Sequence, residues 1–564
     1  MGTISDKLMR IINTKEDIRQ ALISKGYDVP TSIPFKEYAK MILDLPCNAD
    51  SFPDIEGIVA RYSASGLTNE QMATNPVWVD KTGNGYDLQL KNFSWKGMSG
   101  VGGYGDENHQ TFYKFTLDDY VFIATPPGVK HMNFTFRVTG LQPGNKLTLA
   151  FFGTTNTVYG TWDKDGIYTV NSAVVGVGKP VYFYNGYGAT RGEFTIEILP
   201  LYPGFILGDG VDDFAVTEKE LNFEDTYTVY TAFIPFQNNP TRNMILCGAD
   251  SKKTFSMQYS SLDYVTFIAG NNYYINADFV NGLNLFACKR NGNNICIKNL
   301  LTNKVVTGTC GDWVENAGLY YLWKNATYAS FAKVAIAGQT ICNGYFSTDE
   351  DDEKVLNWYK KQYPWLFPDQ AWTVVGKTNE DEDRATIANI TGNGNDLVCL
   401  NLGFIEGSGY NEEGEYAGYL VTDGVDDKIT SSTFEMGNDW TVIGDWELIN
   451  TGKNDNAGIV KFDSIVIYNY NPILINIKNG RNNLIPDQNT VNAICSDGRI
   501  YSKDWKESIY NEETESTSKN LLTIGYSGNN YTKIAFKNLA IYPTVLSKED
   551  CIKAYNYLQT LKSK

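Results

Sequence analysis

The pattern of apolar and polar residues predicts β-structure over most of the chain. Residues 192–202 (GEFTIEILPLY) alternate apolar and polar positions as a half-buried strand does, and residues 464–480 contain two such alternating runs. Residues 133–152 place two strand-like runs around a Pro-Gly turn, and residues 286–300 place two around Asn-Gly, the dipeptide typical of a tight hairpin. We therefore expect antiparallel sheet from about residue 55 to the end of the chain.

Two short helices are expected within this β-rich region, each after a strand. Residues 333–363 predict a strand and then a helix, with Ser347 or Thr348 as the N-cap of an acidic first turn. Residues 537–561 predict the same succession, with Ser547 as the N-cap. The two segments therefore suggest that two similar domains end alike.

Apolar residues at helical spacing predict a helical module over the first 45 residues. The first apolar stripe contains Ile4, Leu8, Ile11 and Ile12, and the second contains Ile18, Leu22 and Ile23. A third helix is expected to begin at Pro34, with Phe35, Tyr38, Ile42 and Leu45 as its apolar residues. A module of this size buries little surface alone, so it needs a partner surface. A docking module and a cap on the neighbouring β-domain are both consistent with the pattern.

The chain contains an internal repeat. Four blocks recur in one order: GLTNE at 66–70 and GKTNE at 376–380, TGNGYDL at 82–88 and TGNGNDL at 391–397, GDGVDDFAVT at 208–217 and TDGVDDKITS at 422–431, and YTVYTAF at 227–233 and WTVIGDW at 440–446. The spacing from the first block to the second and the spacing from the third to the fourth each agree between the copies within one residue. Such long-range self-similarity indicates a duplicated domain.

One spacing differs between the copies and indicates an inserted domain. TGNG and DGVDD are separated by about 30 residues in the second copy and about 125 in the first. An insertion of this size is tolerated where the ends of an exposed loop lie close together. The predicted domains are a helical module at 1–46, a linker at 47–55, a first β-domain at 56–106 plus 204–367, an inserted β-domain at 107–203, and a second β-domain at 368–564.

Composition and charge narrow the range of functions. The chain has 37 Tyr, 28 Phe, 11 Trp and 51 Gly but only 2 His, a mix typical of β-rich proteins with tight turns. Its net charge of −17 disfavours binding to nucleic acid or to an anionic membrane surface. No apolar run approaches the roughly 20 residues that span a bilayer.

The N-terminal sequence and the cysteines predict assembly in a cytoplasm. The first 20 residues contain no uninterrupted apolar segment and no small-residue cleavage site, so we expect no secretory signal. The nine cysteines are odd in number, scattered and without a CxxC pair, which favours free, mostly buried thiols over disulfides or a metal centre.

The repeated blocks resemble those of the concanavalin A-like lectin/glucanase (laminin G-like) jelly rolls. The shared features are the turn from Asp80 to Leu88, the DGVDD strand entry from Asp209 to Asp213, the aromatic strand that follows it, and a final strand with a closing helix. The resemblance implies a mainly β fold with two antiparallel β-sandwich domains, one of which carries the inserted small β-sandwich. It also implies a role in carbohydrate recognition or protein adhesion.

Residues 15–42 resemble an N-terminal helical module found in structural proteins of tailed bacteriophages, including the crAss-like phages. The resemblance implies that residues 1–46 anchor the chain to other virion proteins of the capsid or the tail. The expected docking side chains are Ile18, Leu22, Phe35 and Tyr38.

No arrangement of residues in the sequence predicts catalysis. Glucanases of the resembling family carry a Glu-x-Asp-x-x-Glu strand, which this chain lacks. The acidic run at 379–383, which contains Glu380 and Glu382, lies beside a turn, and the run at 349–353 opens a helix. His109 and His131 have no Ser or Cys nucleophile motif nearby. We therefore expect no enzyme activity.

Two sets of residues are candidates for binding. Asp209, Asp212 and Asp213, with their equivalents Asp423, Asp426 and Asp427, offer the oxygen ligands that calcium prefers. The alternative, which we favour, is that these aspartates shape a turn, so no cofactor is expected. Trp95, Tyr104 and Tyr410 lie in Gly-rich loops and are candidates for stacking on sugar rings, although they are equally suited to contact a neighbouring subunit.

Together these observations predict a structural virion protein, a head or tail fibre or appendage, that binds host-surface glycan and forms a homo-oligomer. A purely architectural virion protein is the main alternative. A polysaccharide depolymerase is disfavoured by the missing carboxylate pair, and a bacterial surface adhesin by the missing signal sequence. The expected location is the virion, after synthesis in the host cytoplasm.

Overall fold

Antiparallel strands dominate the structure, and the sequence-based fold class is confirmed. The structure, a computed structural model, describes residues 52–563 except 105–112, 116–119, 124–130, 142, 152–156, 175–180, 186–193, 237–242, 248–254, 260–263, 270–272, 281, 314–316, 325–330, 415, 450–457, 463–464, 469–473, 478–480, 485–490, 510–519 and 528–529. The predicted helical module at 1–46 and its docking residues Ile18, Leu22, Phe35 and Tyr38 lie outside the described residues, as does His109.

The first sandwich begins with four strands and resumes after the insertion. The strands before the insertion are β1 (Ile58–Ser63), β2 (Val77–Trp78), β3 (Leu88–Lys91) and β4 (Gly100–Val101). Those after it are β13 (Ile206–Asp209), β14 (Phe214–Thr217), β15 (Leu221–Asn222), β16 (Thr226–Pro235), β17 (Asn243–Cys247), β18 (Ser256–Tyr259), β19 (Tyr264–Ile268), β20 (Tyr274–Asp278), β21 (Asn284–Asn291), β22 (Asn294–Asn299), β23 (Lys304–Thr309), β24 (Ala317–Gly318), β25 (Tyr321–Leu322) and β26 (Lys333–Asn343).

Most of these strands form two facing sheets, and β15 and β24 pair separately as a two-stranded sheet. In the described residues, one sheet has the order β23-β22-β21-β16-β26-β13-β4, with β1 also paired to β26, and the other has the order β2-β3-β14-β25-β17-β18-β19-β20. The predicted hairpin is confirmed: Asn291 pairs with Asn294, and Gly292 and Asn293 form its two-residue loop, with Gly292 at a φ of 56°.

The inserted strands make a separate small sandwich between β4 and β13. They are β5 (Tyr113–Phe115), β6 (Tyr120–Ile123), β7 (His131–Thr139), β8 (Leu147–Phe151), β9 (Thr157–Trp162), β10 (Gly166–Val174), β11 (Val181–Asn185) and β12 (Phe194–Ile198). Their two sheets have the orders β10-β7-β12-β5 and β6-β11-β8-β9 in the described part of the chain. Alternate residues of β12 are buried, as its sequence predicts.

The second sandwich repeats the layout of the first without an insertion. Its strands are β27 (Gln370–Thr373), β28 (Thr386–Ile387), β29 (Leu397–Leu400), β30 (Gly409–Tyr410), β31 (Leu420–Val421), β32 (Lys428–Phe434), β33 (Thr441–Leu448), β34 (Gly458–Phe462), β35 (Ile465–Tyr468), β36 (Leu474–Ile477), β37 (Arg481–Leu484), β38 (Val491–Cys495), β39 (Arg499–Ser502), β40 (Glu507–Ile509), β41 (Asn520–Ile524), β42 (Tyr526–Ser527), β43 (Asn530–Tyr531) and β44 (Ile534–Tyr542). Where described, its two large sheets have the orders β30-β31-β44-β33-β38-β39-β40, with β27 also on β44, and β28-β29-β32-β41-β34-β35-β36-β37, and β42 pairs with β43 alone.

The helices of the described residues are short, and a side chain caps the N-terminus of each α-helix. They are α1 (Asn69–Thr74), α2 (Asp349–Gln362), a 3-10 turn (Pro364–Leu366) and α3 (Lys548–Leu558). Thr348, rather than Ser347, caps α2, because its side chain accepts from Asp351 N–H while the Asp351 side chain bonds Thr348 N–H. Ser547 caps α3 as predicted. None of these described helices is long and apolar enough to cross a membrane.

Each domain has its own apolar core. The first sandwich stacks Trp78 on Trp323, with ring centroids 6.1 Å apart, and both indole N–H groups donate to backbone oxygens. The second sandwich buries Trp372 and Trp446, and the inserted domain packs its own core around Phe136. Aromatic rings at core positions bury large areas and explain the aromatic-rich composition.

Helix α3 joins all three β-domains. Its Asn556 Oδ1 accepts from the Thr135 hydroxyl of the inserted domain at 2.7 Å, and its Nδ2 donates to Pro200 O at 3.3 Å. The next residue, Tyr557, accepts Leu283 N–H of the first sandwich at 2.9 Å. Helix α3 also packs on β33 and β44 of the second sandwich, and most of its residues are buried. One amphipathic helix therefore holds the β-domains together.

Candidate functional site

The two DGVDD motifs are turns held by their own carboxylates. Asp209 Oδ1 accepts from Val211 N–H at 2.7 Å and from Asp212 N–H at 3.4 Å, and Asp213 Oδ2 accepts from Asp209 N–H at 2.9 Å. The second motif makes the same three hydrogen bonds. Asp423 Oδ1 accepts from Val425 N–H and Asp426 N–H, and Asp427 Oδ2 accepts from Asp423 N–H, with distances that differ from those of the first motif by at most 0.1 Å. These hydrogen bonds are those that the turn-shaping interpretation requires.

A buried carboxylate lies at the centre of each DGVDD turn. Asp213 and Asp427 are fully buried, and within the described residues Oδ1 of each has no hydrogen-bond partner. Burial raises the pKa of Asp213 to about 7 and raises that of Asp427 as well. In each motif the three aspartates place ligand atoms within 4.8 Å of one another, so oxygen ligands for a cation are present. The hydrogen bonds within each turn use one carboxylate oxygen of its first aspartate, Asp209 or Asp423, and one of its last, Asp213 or Asp427.

None of the three aromatic candidates is a freely exposed ring: Trp95 and Tyr104 are half-buried, and Tyr410 is a core residue. Tyr410 is only 3% exposed and donates its hydroxyl to Arg384 O at 2.7 Å, so the expectation of an exposed sugar-stacking ring is wrong for this residue. Trp95 is half-buried and stacks on Phe93 at 5.2 Å. Tyr104 is half-buried against the core of the inserted domain.

The position of Trp95 explains why it turns inward. Its φ of 58° matches the φ of 52° at Phe404, the equivalent residue of the second copy. A glycine five residues later packs against the backbone of each aromatic residue: Gly100 against Trp95, and Gly409 against Phe404. A Cβ added to either glycine would lie 3.0 Å or less from the Cα of that aromatic residue. The loop is a repeated structural turn, and its aromatic residue packs on the sandwich beneath.

The acidic run at 379–383 lies on the surface of the second sandwich. Glu380 and Glu382 are exposed. Asp381 accepts from Thr378 N–H at 2.8 Å, which lowers its pKa, and Asp383 pairs with Lys377 at 2.7 Å. The second acidic run forms the first turn of α2. Each of these aspartates therefore has a structural partner, and neither glutamate lies in a buried pocket.

An exposed tyrosine beside an Asp–Asn pair forms a different candidate site at one end of the first sandwich. Tyr273 is 47% exposed and rests on Gly311, where an added Cβ would lie 3.0 Å from the tyrosine ring. The next residue, Asp312, accepts from Asn293 Nδ2 at 3.1 Å, and both side chains are exposed. We call Tyr273, Gly311, Asp312 and Asn293 the Tyr273 platform.

The Tyr273 platform has a rigid base. Gly311 O accepts from Arg290 Nη2 at 2.9 Å, and the Arg290 guanidinium lies 4.9 Å from the centre of the Trp313 ring. Asn293 belongs to the tight β21–β22 hairpin, and its backbone oxygen accepts Cys310 N–H at 2.8 Å. Ala269 N–H donates to Tyr273 O at 3.0 Å. The backbone oxygens of Tyr273, Asn293 and Gly311 therefore each accept a hydrogen bond from another described residue.

The free polar groups of the platform suit hydroxyl ligands. Within the described chain the Tyr273 hydroxyl makes no hydrogen bond, and the Asp–Asn contact leaves Asp312 Oδ2 and Asn293 Oδ1 as acceptors. A ring face beside a carboxylate and an amide can stack on the C–H face of a sugar and bond two of its hydroxyls. Local sequence patterns do not predict this site, because its residues come from three separate loops.

The chain has no match among family models or curated proteins, and its structural similarities are weak. No protein-family model and no curated protein sequence matches it. The binding domain of botulinum neurotoxin DC, solved in complex with rat synaptotagmin II, has a TM-score of 0.26 and 10% identity, and the alignment covers 59% of this chain and 89% of that one. The serotype D ligand-binding domain, solved with N-acetylneuraminic acid, has a TM-score of 0.26 and 9% identity, with 60% and 87% covered. Similarity at this level carries no argument about the present chain.

Proposed function

We propose that this chain is a non-catalytic, carbohydrate-binding component of a bacteriophage virion, a head or tail fibre or appendage. The observation that carries the binding part is the Tyr273 platform, where an exposed ring lies beside the Asp312–Asn293 pair. The ligand is a glycan of the host surface. The helical module at 1–46 attaches the chain to other virion proteins, as its resemblance to tailed-phage proteins implies.

Weak binding at each platform is sufficient for this role. One aromatic face and two polar side chains give a small contact area, so we expect single-site dissociation constants on the order of 1 mM. Many copies on one particle raise the overall avidity by roughly 10²–10⁴ when several sites engage one surface. A homo-oligomeric fibre would place several platforms side by side.

Binding without cleavage is the second part of the proposal. Hydrolysis of a glycosidic bond needs two carboxyl groups roughly 5–10 Å apart, one of them a raised-pKa acid. The carboxylate of the platform is Asp312, and it is exposed. The acidic run with Glu380 and Glu382 is exposed on another domain. The proposal therefore predicts retention of polysaccharide and no new reducing ends.

Affinity electrophoresis tests the proposal with the full chain. Host-surface polysaccharide cast into a native gel should retard the wild-type protein, and Tyr273→Ala and Asp312→Asn should migrate as they do without polysaccharide. Phe346→Ala is a matched control, because Phe346 is an exposed aromatic residue (37%) of the same sandwich but is not part of the platform. Equal retardation of the wild type and both platform variants would contradict the proposal.

A purely architectural role is the alternative outcome of the same experiment. No retardation of the wild type by any host polysaccharide, with the chain present in purified particles, would favour it. A steady, protein-dependent rise in reducing ends during incubation would instead favour a depolymerase, and Glu380 and Glu382 would be the first residues to substitute.

A further inference from the structure

A cleft of about 620 Å³ lies between the two large sandwiches. On one side are the loop before β21 and the C-terminal half of α2, and on the other are the second TGNG turn, the loop after β44, and α3. The apolar part of its lining includes Leu283, Leu356, Leu366, Phe367, Ile390 and Leu561. Its volume falls within the range of small-molecule sites. We call it the inter-sandwich cleft.

Hydrogen bonds fix the walls of the cleft in the absence of a ligand. Tyr557 accepts Leu283 N–H at 2.9 Å, which joins α3 to the first sandwich. Thr391 Oγ1 and Asn393 Nδ2 both donate to Asp369 O, at 3.1 and 2.8 Å, which joins the TGNG turn to the segment between the sandwiches. A preformed cavity loses little conformational entropy when a ligand enters.

The charged residues of the cleft are mainly cationic. Lys360 and Lys361 line it at the end of α2, are exposed, and form no ion pair within 4.0 Å in the described part of the chain. Asp369 is the carboxylate that lines the cleft, and partial desolvation raises its pKa against the opposing effect of Lys360. In a chain of net charge −17, two adjacent ammonium groups beside an apolar cavity are a local exception.

We propose that the inter-sandwich cleft binds a small amphipathic carboxylate, whose apolar body fills the cavity while its carboxylate contacts Lys360 and Lys361. A hydroxyl-rich sugar would leave the leucine-lined walls without apolar contacts. An uncharged apolar molecule would gain only from the burial of apolar surface and would make no ionic contact with the two ammonium groups. A carboxylate with a hydrocarbon body satisfies both halves of the lining.

The test compares decanoate with its uncharged counterpart, decan-1-ol, by isothermal titration calorimetry on the full chain. Wild-type protein should bind both, and decanoate more tightly. Lys360→Ala/Lys361→Ala should weaken decanoate binding about tenfold and leave decan-1-ol binding unchanged. Lys354→Ala is the matched control, because Lys354 is on the same helix, pairs with Glu350 at 2.8 Å and does not line the cleft.

A cleft-filling variant locates the binding. Leu356→Trp places a larger side chain in the cavity and should abolish binding of both molecules, while Tyr273→Ala should bind them as the wild type does. Equal decanoate affinity in the double lysine variant, binding retained by Leu356→Trp, or no binding by the wild type would each overturn the proposal. Tyr273→Ala should keep decanoate binding and lose glycan binding. A negative result with decanoate would therefore contradict the cleft proposal and leave the glycan-binding proposal standing.

Discussion

Lys289 Nζ lies 2.8 Å from Asp352 Oδ2, and both side chains are at most 4% exposed. The pair joins β21 to the first turn of α2 beneath the first sandwich. Lys289 pairs with Thr228 across the sheet, and the second sandwich has Cys495 opposite Thr441 at the same point. Asp352 is the fourth residue after its N-cap, and so is Cys551 in α3.

The two sandwiches therefore fill one strand–helix contact with different chemistry. In the first, Asp352 also accepts from Tyr230 OH at 2.9 Å and pairs with Lys298 at 3.0 Å, so the buried charge has several partners. In the second, two buried thiols occupy the positions and need no counter-ion. Both copies of the fold bury a side chain of the strand against a side chain of the helix at this contact, but the chemical type of the two side chains differs between the copies.

Removing one member of the buried pair should be costly. Lys289→Met leaves Asp352 buried with one fewer cation, so we expect the free energy of unfolding to fall by about 3 kcal/mol. Lys304→Met is the control, because Lys304 and Asp278 form an exposed pair at 3.7 Å that contributes less than about 1 kcal/mol. Urea unfolding of both variants is the measurement, and equal losses would show that the buried pair has no special role.

Much of the fold follows from local sequence signals, whereas the candidate site does not. Alternation in β12, the Asn291-Gly292 hairpin and the cap at Ser547 depend on neighbouring residues, so the sequence predicts them correctly. Burial of Tyr410 depends on packing against distant strands, which local pattern does not reveal. The Tyr273 platform likewise joins residues that only the folded sheets bring together.

The pH dependence of stability should report the buried carboxylate of the first DGVDD turn. The pKa of Asp213 is about 7 in the folded chain and roughly 3.9 for an unfolded aspartate. Between these values the native state holds the extra proton, so stability from this group is present at low pH and declines as the pH rises towards 7.

Asp213→Asn removes that titration while retaining an acceptor for Asp209 N–H. The variant's Tm relative to wild type should therefore be higher at pH 8 than at pH 4, as followed by differential scanning calorimetry. A Tm difference that does not change with pH would contradict the raised pKa.

The coupling of the inserted domain to α3 is testable with one side chain. Asn556→Ala removes two hydrogen bonds, one to the Thr135 hydroxyl and one to Pro200 O, so it should lower the free energy of unfolding of the intact chain by about 1–3 kcal/mol.

The same substitution should cost less once residues 107–203 are replaced by a short Gly/Ser linker, which the first sandwich should tolerate because the second folds without an insertion. Urea unfolding of the four proteins gives the coupling. Equal costs in both backgrounds would show that Asn556 does not couple the domains, and loss of cooperative unfolding after the excision would contradict the domain boundaries.

Deletion of residues 1–46 tests virion attachment. The β-domains have their own cores, so the truncated chain should fold, but it should be missing from purified particles. Quantitative mass spectrometry of particles made with either form gives the copy number. A truncated chain incorporated at the wild-type copy number would contradict the anchoring role.

The central claim is that the first sandwich binds a sugar ring on Tyr273, and saturation-transfer difference NMR tests it most directly. With an oligosaccharide released from host-surface polysaccharide at roughly millimolar concentration, the weak site proposed here should transfer saturation to one face of a sugar ring. The same spectrum should be almost blank for Tyr273→Ala and unchanged for Phe346→Ala. An undiminished difference spectrum with Tyr273→Ala, or none with the wild type, would contradict the account.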